Sequence, residues 1–519
     1  MSDYLPLAAL VVFMAASCYL GYAANQAMKG ESFLKGYFLG GRGLGPWAMA
    51  LTATVQSGGT FVGYPSFAYT YGWIVALWIA SYMVVPLCSF GVLGKRIGQL
   101  ARRTGAVTVP DLLAARFGSV ALGRAASLII VIFLAVNMIS QFKGGAVILK
   151  TVMAGSSAIA LTEESGPASA AVGSVDRGYL LGLAVFTVVV VGYTVYGGFL
   201  AAVWTDVFQS VMMLVGVMIL LPLALMKAGG LAAATQAGIE QVGPEFAYGP
   251  GSGDWHPLGR AFSYFFVWTM ASIGSAPTLV RHMAFRDTKT IRQAQLLLAT
   301  YNVMIYLPLL LVAICARAIL PDLVASGKSD EMIARLSVSV AHPVIAGLIL
   351  TAPFGAVMAT VSSYLIMIGS GLTRDLYQRW LFPNASEQTI KRVSYLTMVT
   401  IALIVAFAAI HPPQFLQDLI VYSGTSVAAA FMVPALMTAF WPRATAVGSL
   451  AAMVGGPLTM FVLYAYNLFD PVKPGFRAYA LCGLDPFVWG LAVAGALGFV
   501  VSWLSPPPRR ELVGQFFQP

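Results

Sequence analysis

Two short stretches combine residue types that unwind helices with residue types that bind solutes. Ala53-Thr54-Val55-Gln56-Ser57-Gly58-Gly59-Thr60, followed by Gly63-Tyr64-Pro65, interrupts one apolar run, and Ser272-Ile273-Gly274-Ser275-Ala276-Pro277 interrupts another. Backbone N–H and C=O groups released by such a break persist inside a bilayer only where protein or a cavity satisfies them. In secondary transporters that unwound backbone lines the substrate and ion sites, so the two breaks are the first candidates for a binding site. Gly, Ser and Pro also permit close helix packing, which is the competing explanation for either break taken alone. A third stretch, Ala356-Val357-Met358-Ala359-Thr360-Val361-Ser362-Ser363, sets positions 356, 360 and 363 on one helical face, where hydroxyl and carbonyl oxygens suit a hard cation. Against that stands the common habit of Ser and Thr in membrane helices, a bond back to the i−4 carbonyl.

Two charged residues stand out in apolar surroundings. Asp206, in Val203-Trp204-Thr205-Asp206-Val207-Phe208-Gln209, lies near the start of an apolar run. There it is either a cap favoured by the helix dipole or a cation ligand or gate. Lys143, in Gln141-Phe142-Lys143-Gly144-Gly145, is the basic residue inside a run. Its insertion costs ~2.5–3.5 kcal/mol unless it is paired or hydrated, and snorkelling to the interface is the alternative. We expect its ammonium to pair with a substrate carboxylate.

The elements that must position these residues are membrane helices. Of 519 residues, 59% are hydrophobic and 10% charged, against roughly 25% charged in a soluble chain. Recurrent apolar runs near the ~20 residues that cross a bilayer exclude a soluble enzyme. The runs give thirteen expected spans at 5–24, 46–68, 72–94, 121–149, 179–197, 203–226, 260–280, 294–316, 340–372, 393–410, 414–439, 445–466 and 486–504. The first lacks a basic n-region and a small-residue cleavage site, so it reads as a retained span. Segments 150–178 and 227–259 read as loops on one side. On the other side lie most of the Lys and Arg residues, in segments 25–45, 95–120, 281–293 and 373–392, at Arg443, and in the tail with Arg509 and Arg510. Because cytoplasmic loops carry the excess of Lys and Arg, the N-terminus is expected outside and the C-terminus inside. The same clustering explains the net charge of +10 without a nucleic-acid partner. No G-x-x-x-x-G-K-[ST] run supplies a nucleotide-driven engine, and four scattered cysteines and four histidines suggest neither disulfides nor a metal cluster. The broken spans are five apart, the offset of two inverted five-helix repeats.

Several motifs then make the chain similar to the sodium:solute symporter family, and within it to the sodium/pantothenate type. They are Tyr37-Phe38-Leu39-Gly40-Gly41-Arg42, Thr52-Ala53-Thr54, Phe61-Val62-Gly63-Tyr64-Pro65 and Ala68-Tyr69-Thr70-Tyr71-Gly72. Leu100-Ala101-Arg102-Arg103, Ala106-Val107-Thr108 with Asp111, Ala115-Arg116-Phe117 and Gly197-Gly198-Phe199 with Asp206 follow. Ala352-Pro353, Ala356-Val357-Met358 with Thr360, and Asp375-Leu376-Tyr377 complete the set, so the likeness covers about the first 450 residues.

The resemblance implies an all-α polytopic membrane protein with a LeuT-type 5+5 inverted repeat and flanking helices. Residues 1–45 would hold the first helix and a cytoplasmic loop, 46–226 the first repeat, 260–439 the second, and 445–519 two peripheral helices and a cytoplasmic tail. It implies a sodium site formed by carbonyls of Ala53, Gln56 and Ala356 with the Thr360 hydroxyl, and a further sodium site at Asp206, Ser362 and Ser363. Ala359 stands where the family commonly has Ser, which removes a hydroxyl from both sites. Substrate would touch Gln56, Ser57, Thr60, Gln141, Lys143, Ser275 and Tyr422. The implied function is sodium-coupled import of a small organic carboxylate such as pantothenate by alternating access, in a bacterial inner membrane. It would be carried out by a monomer, with sodium co-transported, no organic cofactor and no enzymatic activity. Competing readings are a proline, sugar or other solute, coupling to protons, and a non-transporting sensor.

Overall fold

A computed structural model describes residues 4–27, 46–53, 57–154, 176–249, 251, 258–284, 287–324, 328–411, 416–470 and 475–517. Among them there are helices and no strands. In chain order the helices are α1 (Leu5–Ala27), α2 (Pro46–Ala53), α3 (Tyr64–Tyr71), α4 (Ala76–Cys88), α5 (Lys95–Thr104), α6 (Val109–Phe117) and α7 (Val120–Ala154). Then come α8 (Arg177–Ala228), α9 (Leu231–Val242), α10 (Leu258–Gly274), α11 (Ala276–Ala284), α12 (Thr288–Ile319), α13 (Met332–Val340) and α14 (Pro343–Ser370). The last are α15 (Glu387–Ala408), α16 (Leu416–Phe440), α17 (Ala446–Ala465), α18 (Pro486–Leu504) and α19 (Arg510–Phe517).

Ten helical stretches among the described residues are long and apolar enough to cross a membrane. Their outward side chains, among them Val12, Val188, Phe407, Trp503 and Leu504, are exposed and apolar, as a lipid-facing surface requires. Polar caps start several helices where they leave the apolar zone. The Asp176 carboxylate accepts the N–H groups of Gly178 and Tyr179, Asp287 accepts that of Thr290, and Thr445 accepts that of Gly448. Each thereby satisfies a backbone donor that a helix end leaves without an intrahelical partner.

The second and seventh expected spans are each two short helices rather than one rod. Helix α2 is described as far as Ala53, Ser57 is non-helical, and a π-helical turn at Gly59–Gly63 leads into α3. Helix α10 stops at Gly274, Ser275 is non-helical, and α11 begins at Ala276. The fifth and sixth expected spans run together as α8, which bends sharply at Gly198 (φ 61°, ψ −156°), a conformation that side chains with a Cβ rarely adopt. Two expected cytoplasmic loops are helical. Residues 95–120 hold α5 and α6, and Arg281, expected in the loop 281–293, lies inside α11 and is 5% exposed. The polar segment 227–259 contains α9.

Helix α14 is the most buried of the membrane-length helices, and it packs against α1, α7 and α8. The end of the bundle that carries the basic loops is held by carbonyls. Arg96 donates to the carbonyls of Ala439 and Phe516, and Arg116 to those of Trp441 and Pro442, with its guanidinium over the rings of Phe117, Phe516 and Phe517. Burial pulls the Arg116 guanidinium down to about 10, so it remains cationic at neutral pH. The Arg96 bond to Phe516 ties α19 to α5, and the Arg116 guanidinium on the Phe516 and Phe517 rings seats it against α6.

Candidate substrate and ion site

The two helix breaks open on the same cavity of about 140 Å³. Ser57, Gly59 and Thr60 line it from one break, and Ser272, Ser275, Pro277 and Thr278 from the other. Ser57 caps the helix that restarts after it, its Oγ accepting the Gly59 N–H at 3.1 Å. Gly58 approaches its neighbours so closely that a Cβ there would lie 2.8 Å from Val357 and 2.9 Å from the Gln141 amide. The Gly58 N–H is bound by Gln141 Oε1 at 2.8 Å.

Gln141 therefore serves the site from behind. Its Nε2 donates to Asn137 Oδ1 (3.2 Å), and Asn137, which does line the cavity, donates to Ser423 Oγ (2.8 Å). One hydrogen-bonded chain thus runs from the restarted helix through α7 to α16. Most of the remaining wall is aromatic, with Tyr64, Trp78, Tyr82, Trp268, Tyr306 and Tyr364. Tyr82 stacks on Tyr306 at 4.1 Å, and the Tyr306 hydroxyl shares a hydrogen with Thr60 Oγ1 at 3.0 Å. Among the described residues, none that lines the cavity is charged. An aromatic wall with hydroxyls, an amide and two exposed helix breaks suits a small amphipathic solute.

Of the expected substrate contacts, Ser57, Thr60 and Ser275 line the cavity, and Gln56 lies outside the described residues. Gln141, Lys143 and Tyr422 are not in its wall. Tyr422 packs instead in a ring cluster with Phe133, Tyr464 and Phe476. Lys143 makes an ion pair with Asp330 (2.7 Å), so the protein itself supplies the carboxylate that the sequence led us to seek in a substrate. The aromatic wall was missed because Tyr and Trp in membrane helices mostly signal interfaces. The placement of Trp78 and Tyr82 four residues apart, on one helical face, was the available hint.

At the expected sodium site, Ala53 is the last described residue of α2, and Thr360 is fully buried on α14 with its hydroxyl donating to the Ala356 carbonyl at 2.9 Å. That is the i−4 bond typical of membrane helices. It commits the hydroxyl proton and leaves the oxygen to act as an acceptor. Asp206, expected near a helix start, lies well inside α8 and is 3% exposed. Its Oδ2 meets Arg281 at 3.5 Å and the Ser363 hydroxyl at 3.4 Å, while Arg281 also donates to Ser363 at 2.9 Å. Asp206 Oδ1 is buried without a hydrogen bond beside a cavity of about 30 Å³. Ser362 turns its hydroxyl to the Ala359 carbonyl and is not in the wall of that cavity. The structure thus brings Asp206 and Ser363 together, with the Arg281 guanidinium between them as a partner that the sequence did not identify.

Comparison with known proteins agrees with this architecture. The pattern of the sodium:solute symporter family matches residues 37–164 and 174–456. The sodium/pantothenate symporter of Escherichia coli (strain K12) is 32% identical over 505 residues, covering 95% of this chain and 97% of that protein. The sodium/pantothenate symporter of Haemophilus influenzae is 31% identical over 463 residues, 87% of this chain and 88% of the relative. The high-affinity proline transporter of Bacillus subtilis is 27% identical over 506 residues, covering 94% and 97%.

Among solved structures, a Na+-coupled sialic acid symporter in a substrate-bound outward-open state superposes with a TM-score of 0.71 at 20% identity, covering 98% of this chain and 99% of that one. That likeness bears on the fold, and with it the all-helical LeuT-type architecture expected from the motifs holds. With the family pattern spanning most of the sequence and a relative 32% identical over nearly the whole of both chains, this protein, a membrane transporter and not an enzyme, belongs to the sodium:solute symporter family.

Proposed function

We propose that the protein imports a small organic carboxylate, with pantothenate the first choice, together with one sodium ion by alternating access. The observation that carries the reading is the shared cavity at the two helix breaks, lined by Ser57, Thr60 and Ser275. The relatives named for sodium and pantothenate, 31–32% identical, point to the solute. With no charged side chain among the described wall residues, a carboxylate would be met by the N-terminal ends of the restarted helices at Gly59 and Ala276, where the helix dipole favours an anion. The aromatic faces would hold the apolar part of the solute. Sodium would take carbonyls of Ala53, Gln56 and Ala356 and the Thr360 hydroxyl, next to the same break. Sharing the break is the physical basis of coupling, because an ion that orders this backbone favours the conformation in which substrate binds, and the linkage is reciprocal. Arg281 beside Asp206 supports a single sodium, since a fixed cation already balances that carboxylate.

A tenfold sodium gradient supplies ~1.4 kcal/mol and 100 mV adds ~2.3 kcal/mol per net charge, together ~3.7 kcal/mol or several-hundredfold accumulation. One sodium with a monoanion is electroneutral and forfeits the second part. A second reading, a zwitterion such as proline, is favoured by the uncharged wall and by the proline-transporting relatives, and it keeps the voltage-driven part. We further propose a monomer in a bacterial plasma membrane, N-terminus outside and C-terminus inside, with the repeats at 46–226 and 260–439.

The test is uptake of labelled pantothenate, proline and a sugar into proteoliposomes with sodium, proton and voltage gradients imposed separately. Sodium-driven, voltage-insensitive pantothenate uptake is expected. Pantothenate uptake indifferent to sodium, or voltage-dependent proline uptake alone, overturns the leading reading.

A further inference from the structure

The ion pair of Lys143 joins elements far apart in sequence, next to the cavity. Lys143 and Lys150 lie on one face of α7, about two turns apart. They meet two consecutive acids, Asp330 and Glu331, on a 3₁₀ turn (Ser329–Glu331) that leads into α13. Lys143 Nζ is 2.7 Å from Asp330 Oδ2, with both side chains at or below 10% exposure, and Lys150 Nζ is 3.9 Å from Glu331 and 2.7 Å from Asp176. Asp330 Oδ2 also accepts the backbone N–H of Leu416, the first residue of α16, at 3.1 Å.

The same turn touches Gly59–Gly63 and α3, the restarted half of the first broken helix. One carboxylate therefore ties the segment 328–340 to α7 and α16 and rests on a third wall element. Each of these elements supplies cavity residues close by. Asn137 precedes Lys143 by about 9 Å along α7, and Ile420 follows Leu416 by about 6 Å along α16.

We propose that Lys143 and Asp330 are positioning residues for transport. Their ion pair is the closing bond of a lid, residues 328–340, over the cavity at the end of the bundle opposite the basic loops, and the pair must part for the cavity to open there. Its chemistry suits a bond that is made and broken in every cycle. Two buried charges pay heavily for lost hydration, so their pairing is near balance against a hydrated open state. Asp330 Oδ1, buried without a hydrogen bond in the structure, would gain water on opening. Removing one partner strands the other charge in the closed state and favours the open one. Reversing both charges keeps the pair.

The test uses the full chain in intact cells, with Cys18, Cys88, Cys315 and Cys482 replaced by alanine and a single cysteine placed in the cavity wall by Ala271→Cys. The readouts are the rate at which a membrane-impermeant thiol reagent labels that cysteine from outside, and uptake kinetics. Lys143→Met and Asp330→Asn are each expected to raise the labelling rate at least tenfold and to lower maximal uptake at least tenfold, with half-saturation unchanged or lower. The swap Lys143→Asp with Asp330→Lys is expected to bring the labelling rate back to within threefold of the parent.

Thermal unfolding of the purified variants separates gating from folding. A pair that serves stability alone would lower the unfolding midpoint and leave labelling per folded molecule unchanged, and that result overturns the proposal. So does a swap that labels as fast as the single variants while folding normally. Because labelling needs no solute, it stands apart from the choice of substrate, and failure of pantothenate uptake would leave it intact.

Discussion

Thr360→Val tests the proposed sodium site most directly, because valine keeps the shape of threonine and deletes one oxygen from a fully buried position. In the structure the Thr360 hydroxyl donates to the Ala356 carbonyl at 2.9 Å, so its proton is already committed and its lone pairs are the part left to face an ion. No rearrangement offsets the loss. An interaction between a neutral polar group and a charge is worth ~1.5–3 kcal/mol, and at ~1.4 kcal/mol per factor of ten the sodium half-saturation should rise roughly 10- to 100-fold. Thr360→Ser, which retains the oxygen, should stay within about threefold by the same conversion.

The assay is sodium-titrated uptake in proteoliposomes, with calorimetric substrate binding at low and high sodium. In the parent protein sodium should tighten substrate binding, and in Thr360→Val that tightening should largely disappear at low sodium and return at high sodium. A Val variant with the sodium dependence of the parent would refute the assignment of this oxygen to the ion. Substrate binding that ignores sodium in the parent protein would refute the coupling scheme itself.

Other expectations follow from the charged ends of the bundle. Asp206→Asn leaves the Arg281 guanidinium buried with Ser363 as its remaining side-chain partner. Breaking one side of a buried pair typically costs ~3–5 kcal/mol, and the length of this contact, 3.5 Å, puts the expected loss at about 3 kcal/mol, measured as a lowered unfolding midpoint. Restoration by Asp206→Asn combined with Arg281→Met would confirm that the stranded charge is the cause, and a neutral effect of Asp206→Asn alone would refute it. Phe516→Ala removes a ring that is 1% exposed and lies under Arg116. Core Phe truncation costs ~3–5 kcal/mol, here paid locally, so limited proteolysis should cut α19 in the variant while the membrane helices stay intact. Equal resistance in variant and parent would show that α19 is held without this ring, by the Arg96 bond to the Phe516 carbonyl.

What the sequence determined is what depends on short stretches of chain. The positions of the membrane helices follow from runs of apolar residues long enough to span hydrocarbon. The breaks at Ser57 and Ser275 follow from Gly, Pro and hydroxyl residues that loosen a helix wherever it is placed. The family motifs added the architecture and the idea that both breaks share a site.

Only the tertiary structure decided which side chains meet. Lys143 was visible as a costly charge, but its partner, Asp330, is 187 residues away in a segment that reads as an ordinary loop. Arg281 counted as a loop cation until α11 carried it inward to Asp206, 75 residues distant in sequence. The aromatic wall was equally hidden. In water the apolar face of a helix marks the side that packs, but lipid tails are as apolar as leucine, so the inward and outward faces of a membrane helix read alike and packing alone tells them apart.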